Sequence, residues 1–233
     1  MKRLIFIVAL TLITHLMTVA QFKMLGTSRD MGNGCIQLTP NVAYSEGLAY
    51  SYAKLDLSEN FQIEFDIFLG DKENGADGIT FVIHNDERGF NAFGNWGECM
   101  GYGRFNPNYP GNCIDPSIAV EFDTYQNPNQ NDPSSDHVAF LENGSSRHYQ
   151  YWNNDDLAFN LEDNRLHNFR FRWEHEQQRI SVSLDGMLVY QGRKDLINDI
   201  FQGKTKVIWG FTASTGRAHN LQYFCLRRLA SAK

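Results

Sequence analysis

Residues 117–137 read SIAVEFDTYQNPNQNDPSSDH. Ser117 to Val120 have the composition of a buried strand. Glu121, Asp123, Asn127, Asp132 and His137 then crowd its mouth. Glu121 and Asp123 are two residues apart, so a strand points both carboxylates, and Tyr125 after them, to one face. Two carboxylates on a core strand repel each other unless something positive neutralises them. Asn127, Asp132 and His137 follow Asp123 at intervals of 4, 5 and 5 residues. A loop folding back over the strand end gathers all five. Glu121, Asp123, Asp132 and His137 make a mixed oxygen and nitrogen set that suits a transition metal such as manganese. Asp123, Asp132, the Asn127 side-chain oxygen and a backbone carbonyl make an oxygen set that suits calcium, with Asp123 and Asp132 able to bridge the two ions. The competing reading is a solvated acidic loop of turn-forming Asp and Asn. The strand position of Glu121 and Asp123 argues against it. An EF-hand is excluded, because Pro128 stands where its loop needs Gly and Ser134 where it needs Glu.

Around this stretch the chain reads as strand after strand. FQIEFDIFL (61–69) and LHNFRFRWE (166–174) alternate apolar and polar residues, and GITFVIHN (78–85) is almost continuously apolar. RISVSLDGMLVYQG (179–192) is a hairpin with Asp185-Gly186 as its two-residue turn. VIWGFTAS (207–214) and NLQYFCLRRL (220–229) close the series, and KDLINDIFQ (194–202) is the one helical pattern. This is an all-β chain of the jelly-roll sandwich kind. Two long loops, 86–116 and 126–136, are rich in Gly, Asn and aromatic residues, as a polar binding surface would be.

Residues 1–20 have the layout of a secretory signal peptide, a basic start, an apolar run and small residues near Ala20. Its removal leaves residues 21–233, which fit one domain with one core, and places the protein outside the cytoplasm. No later run is long and apolar enough to span a bilayer. The formal net charge of −6 falls by two more when Lys2 and Arg3 leave with the leader, which argues against a nucleic-acid partner. The four cysteines, an even number in an exported chain, suggest disulfides. Cys99 and Cys113 flank a Gly/Asn/Pro-rich loop and form the natural local pair of the three possible pairings, leaving Cys35 with Cys225; free buried thiols are the competing reading. Zinc is disfavoured, since no C-x-x-C spacing is present.

The stretch 120–137 resembles the metal-binding segment of the legume lectins and their relatives, the L-type lectins. That pattern is Glu-x-Asp-x-aromatic-x-Asn, Asp-Pro five residues on, and His five further, and every position matches. GADGITFVIHN (75–85) resembles the family's Ala-Asp-Gly strand, and WGFTASTGRAHN (209–220) its Gly-Phe-Ser-Ala-x-Thr-Gly segment. The three matches come in family order. The resemblance implies a concanavalin A-like jelly roll that binds hexose-containing glycans or glycoproteins, with no catalytic residues. It implies manganese, or another transition metal, on Glu121, Asp123, Asp132 and His137. It implies calcium on Asp123, the Tyr125 carbonyl, Asn127 and Asp132. It further implies a cis Ala76–Asp77 peptide, Asp77 accepting from sugar hydroxyls, Asn127 donating, Tyr125 stacking on the sugar face, and the loop Gly216, Arg217, Ala218 and His219 setting sugar preference. Pairing of two copies through their sheets belongs to the same expectation.

One segment departs from the family. Its glycine-rich loop, which offers a backbone N–H to the sugar, corresponds here to NWGECMGYG (95–103). Gly97 and Gly101 remain, but Glu98 and Cys99 lie between them. Trp96 reads either as a second platform or as a loop anchor. This departure keeps open a structural or adhesive module whose metals only hold loops. A laminarinase-like glycoside hydrolase would share the fold and a Glu-x-Asp start. Its acid/base Glu is replaced here by Gln126, which has no acidic proton to give.

Overall fold

A computed structural model describes residues 21–106, 108, 112–134, 136–148, 151–152 and 160–232. The signal-peptide reading of 1–20 falls outside them. The alternating segments are strands because alternation gives each one an apolar face to bury and a polar face to leave outside. In β1 (Phe22–Gly26), β2 (Arg29–Gly32), β3 (Cys35–Thr39), β4 (Glu46–Ser51), β5 (Leu55–Asp56), β6 (Asn60–Phe68), β7 (Gly78–His84) and β8 (Ser117–Asp123) the chain builds both sheets in turn. It completes them with β9 (His137–Glu142), β10 (Tyr151–Trp152), β11 (His167–Glu174), β12 (Arg179–Leu184), β13 (Met187–Arg193), β14 (Lys206–Ser214) and β15 (Gln222–Ala232). One sheet runs β1-β4-β14-β7-β8-β9-β10, with β5 on β14. The other runs β13-β12-β11-β6-β15-β3-β2. Neighbouring strands in both are antiparallel. This is the jelly-roll sandwich expected from the alternation.

The inter-sheet core is aromatic. Phe65 of β6 pairs in register with Phe169 of β11, and their rings stack at 6.2 Å. From the facing sheet Phe211 meets Phe65 edge-on at 4.7 Å and Trp209 tilts against it at 5.7 Å. A ring so placed contributes through buried area and quadrupole contacts together. Phe65→Ala is expected to destabilise the protein by about 3–5 kcal/mol, read as a lower urea midpoint at constant slope.

Three expectations change. The first concerns a single core. A second apolar cluster lies on the outer face of the larger sheet, where Val82, Ala119, Ala139, Leu141, Tyr50 and Ile208 meet Ala92, Tyr102 and Ile114 from the 86–116 loop. That loop is therefore a cover, pinned by Tyr50 Oη donating to the Ala92 carbonyl at 2.8 Å and by Tyr102 Oη accepting from Gly144 N at 3.0 Å. It is also why β7 is buried on both faces.

The second concerns the cysteines. Cys35 and Cys225 form a disulfide between directly opposed residues of β3 and β15, but Cys99 and Cys113 are free thiols. Cys99 is buried facing Ser146, and Cys113 packs on Gly144. Each meets a different part of the 144–146 turn in place of the other. Burial pushes the Cys99 thiol up to about 12, which leaves it inert. Third, the helical pattern at 194–202 forms only a π-type turn at Leu196–Ile200, capped by Asp195 and burying Leu196 and Ile200 as a plug. The hairpin at 185–186 is as expected, with Asp185 at φ 49° and Gly186 at φ 82°, both on the positive side that a type I′ turn requires.

The bridge closes a loop with a sequence separation of 190 residues. Cross-links over long loops restrict the unfolded chain most, so the Cys35→Ser/Cys225→Ser double variant should lose about 2–4 kcal/mol. Equilibrium denaturation compared with the native protein, with and without reductant, checks this. Reductant should have little further effect on the variant.

Candidate functional site

The site forms where four strand ends meet. Gly78 opens β7 opposite Asp123, the last residue of β8. Asp123 in turn faces His137, the first residue of β9, and Ser214 ends β14 opposite Gly78. On β8, Val120 and Phe122 point into the inter-sheet core, so Glu121 and Asp123 point to the outer face beneath the covering loop. Each is only 2 % exposed.

Five side chains converge there. Glu121, His137 and His148 each place a donor atom within 4.8 Å of the others, and Asp123, Asp132 and His137 do the same. His137 Nε2 stands 3.9 Å from Asp123 Oδ2, and His148 Nδ1 stands 3.1 Å from Asp132 Oδ1. His148 Nε2 lies in close contact with Glu121 Oε2. The expected quartet is thus brought together, and His148 joins it. No sequence signal marked His148, because it lies beyond the motif and arrives only through tertiary folding. Its N–H donates to the Gln130 carbonyl at 2.9 Å, and its carbonyl accepts from Asn131 Nδ2 at 3.1 Å.

Burial lifts the Glu121 and Asp123 carboxyls above their ordinary range, and their carboxylate neighbours add to the effect. Burial alone would pull His148 down, but Glu121 and Asp132 outweigh it and hold the imidazole up to about 10. A dry cluster of carboxylates favours a cation at its centre.

The turn after β8 is arranged by the same carboxylates. Tyr125 N donates to Asp123 Oδ1 at 2.7 Å, and Asn127 N donates to Asp132 Oδ2 at 2.6 Å. Asn127 Oδ1 is buried without a hydrogen-bond partner. Buried acceptors are rarely left so, and a hard cation would satisfy this one as a carboxamide ligand. The residues present therefore fit a transition metal and calcium side by side.

Asp77 lies on the same rim. The Ala76–Asp77 peptide is cis. Asp77 N donates to the Ser214 carbonyl at 3.1 Å, and its own carbonyl accepts from Thr124 N at 3.0 Å. Asp77 is 5 % exposed, and its Oδ2 has no hydrogen-bond partner. Burial first, and the charge of Glu98 second, raise this carboxyl to about 7 against the opposing Gly216 N–H. Gly97 is at this edge, its carbonyl accepting from Ser214 Oγ at 3.0 Å. Gly101, at φ 71°, packs beside Glu46 and Thr212. Glu98 accepts from Asn129 and Gln130, tying the 97–99 turn to the 128–130 turn. Tyr125 is 42 % exposed, and Arg217 projects into solvent between half-buried Gly216 and Ala218. Trp96, 53 % exposed, meets the rings of Tyr44 and Phe105 edge-on. Tyr44 N donates to the Gly216 carbonyl at 3.0 Å, so this aromatic group adjoins the 216–219 loop. A separate cavity of about 390 Å³ lies at the other end of β7, around Asp86, Arg88 and Lys204.

A family model described as the legume lectin beta-barrel domain matches residues 14–228. The chain belongs to this family. As a legume lectin-type domain it carries a carbohydrate-binding fold, and its relatives among solved structures are lectins. A lectin from Bauhinia forficata in complex with GalNAc is 20 % identical, with a TM-score of 0.73, over 94 % of this chain and 95 % of that one. Lectin I-B4 from Griffonia simplicifolia, in a metal-free form, is 22 % identical with a TM-score of 0.72, over 95 % and 97 %. Basic winged bean lectin with Tn-antigen is 21 % identical with a TM-score of 0.67, over 88 % and 90 %. At these identities the likeness is one of fold. Among the described residues, no helix of this lectin domain is long and apolar enough to cross a membrane.

Proposed function

We propose that this chain is an exported, metal-dependent lectin that binds a hexose-containing glycan at the Asp77 edge. The observation that carries the reading is the pair of buried, unpartnered oxygens, Asp77 Oδ2 and Asn127 Oδ1, on one rim. Asp77 accepts from two sugar hydroxyls, the charge-assisted kind of hydrogen bond that is strongest. Asn127 turns its oxygen to calcium and its amide to the sugar. Tyr125 offers a face for the sugar's C–H surface, and Gly97 with Gly216, Arg217 and Ala218 frames the rest. Gly101 serves by shaping the turn. Calcium is held by Asp123, the Tyr125 carbonyl, Asn127 and Asp132. The transition metal is held by Glu121, Asp123, Asp132 and His137. When bound, the ions supply positive charge that fixes the 123–137 turn, and the residues of this chain do the recognition.

Glycans and glycoproteins are the partners of this reading, outside the cytoplasm, with pairing of copies through their sheets. The burial of Glu121 and Asp123 supports a binding role over a glycosidase, whose carboxyls must be open to the glycosidic bond. The second reading, a structural module with a degenerate sugar site, is favoured by one observation: Glu98 locks the altered 97–99 turn onto Asn129 and Gln130. A glycan array probed with calcium and manganese, and again after EDTA, separates the two. Metal-dependent binding to a defined glycan set is expected. Binding in neither condition, with a melting temperature that still falls in EDTA, would favour the structural module.

A further inference from the structure

We propose that His148 is a direct ligand of the transition-metal ion, so that this chain holds the ion through two imidazoles and favours a zinc-like metal over manganese. The inference rests on the two-ion reading above and deepens it. Glu121, His137 and His148 already place their donor atoms within 4.8 Å of one another, and all three are buried. Two donors on one ion with bonds of about 2.1 Å stand at most about 4.2 Å apart. The cluster therefore needs only small shifts to close on an ion, one of which parts the close contact between His148 Nε2 and Glu121 Oε2.

His148 does not drift into this position. The Gln130 carbonyl and the Asn131 side chain hold its backbone from both sides. Those two residues belong to the Pro128–Gln130 turn and its left-handed end at Asn131, φ 71°. The same turn lies between Asn127 and Asp132, so the segment that arranges the carboxylates also delivers the imidazole. The His148 ring meets His137 edge-on, centroids 4.8 Å apart and planes at 74°, which lets each offer a nitrogen lone pair without the rings colliding. Its two nitrogens face Glu121 and Asp132, both members of the ligand quartet.

A second imidazole changes what the site prefers. Carboxylate and water ligands suit manganese, whereas imidazole suits zinc, copper, nickel and iron. Replacing one oxygen donor by nitrogen shifts the balance toward the latter group.

The test uses the purified protein, stripped by chelator and reloaded with calcium. Cu²⁺ is added as one equivalent per chain, and pulsed electron paramagnetic resonance counts the imidazoles on the ion. Zn²⁺ and Mn²⁺ affinities are measured by calorimetry for the native protein and for His148→Gln. Two imidazoles are expected in the native protein and one in the variant. Losing even an outer partner of a ligand weakens metal binding by roughly 10–100-fold, so Zn²⁺ affinity should fall at least about tenfold in His148→Gln and Mn²⁺ affinity less. One imidazole in the native protein would make His148 a counter-charge to the carboxylates and overturn the proposal, leaving the two-ion reading intact. No stoichiometric metal at all would overturn both. If His148→Gln fails to fold, the imidazole count of the native protein decides alone.

Discussion

Chelation should lower the melting temperature and abolish glycan binding together. An ion that binds the folded chain and not the unfolded one stabilises it by about 2.7–4.1 kcal/mol at concentrations of roughly 100 to 1,000 times its dissociation constant. For a domain of this size each kcal/mol moves the midpoint by about 2–4 °C, so EDTA should lower it by roughly 10 °C. The chelated protein should remain folded. The inter-sheet core around Phe65, Phe81 and Phe211 lies on the opposite face of β7 and β8 from the cluster. His148 between Glu121 and Asp132 supplies one compensating charge. Glycan binding should vanish for a different reason. With no ion to accept it, Asn127 Oδ1 draws its side chain toward other donors, and the turn bearing Tyr125 loses its fixed shape. Scanning calorimetry and array binding on one sample, before and after EDTA and after calcium with manganese is restored, check both halves. An unchanged midpoint in EDTA would remove the metals from the account.

Asp77→Asn should cost the protein its ligand and leave its stability intact. The substitution keeps the shape and hydrogen-bonding length of the side chain but removes the charge and one acceptor. Hydrogen bonds to charged groups contribute about 1.5–3 kcal/mol each. Weakening two at once should reduce affinity by about 100-fold or more. Stability has no such dependence, since the Asp77 carboxylate is held against burial and against the nearby Glu98 charge, and only the Gly216 N–H favours its ionised form. Neutralising it should leave the denaturation midpoint level or slightly higher. Titration with the best glycan from the array, beside metal content and thermal melting, separates the effects. Full affinity in the variant would place the sugar elsewhere on the molecule.

The fold was legible wherever a local rule sufficed. Alternation marked β6 and β11 because Phe61, Ile63 and Phe65 face the same core as Phe169, Phe171 and Trp173. Asp185-Gly186 marked its hairpin because few residue pairs take positive φ twice in succession. Spacing grouped Glu121, Asp123, Asp132 and His137 because strand geometry and one short loop determine their meeting. Legibility ended where the determining contact was distant. Cys99 and Cys113 are close in sequence, but burial against Ser146 and Gly144 governs where their thiols go. Residues 86–116 read as loop, and nothing local shows that Ala92, Tyr102 and Ile114 would roof the larger sheet. His148 was invisible for the same reason. A lone histidine has no period, and its role depends on Gln130 and Asn131 catching its backbone.

The bridge between Cys35 and Cys225 has a mechanical meaning. A tensile load applied to the chain on either side of it passes directly from one sulfur to the other. The segment between them, which contains Asp77, the 121–137 turn, His148 and the 216–219 loop, is a covalent shunt's sheltered branch. Among the described residues, β1, β2 and the turns between residue 21 and Cys35, together with the part of β15 after Cys225, lie in the loaded path. Strand peeling from either end would therefore stop at this rung, and a pull between the two ends of the chain would leave the segment carrying Asp77 and the 121–137 turn unstretched.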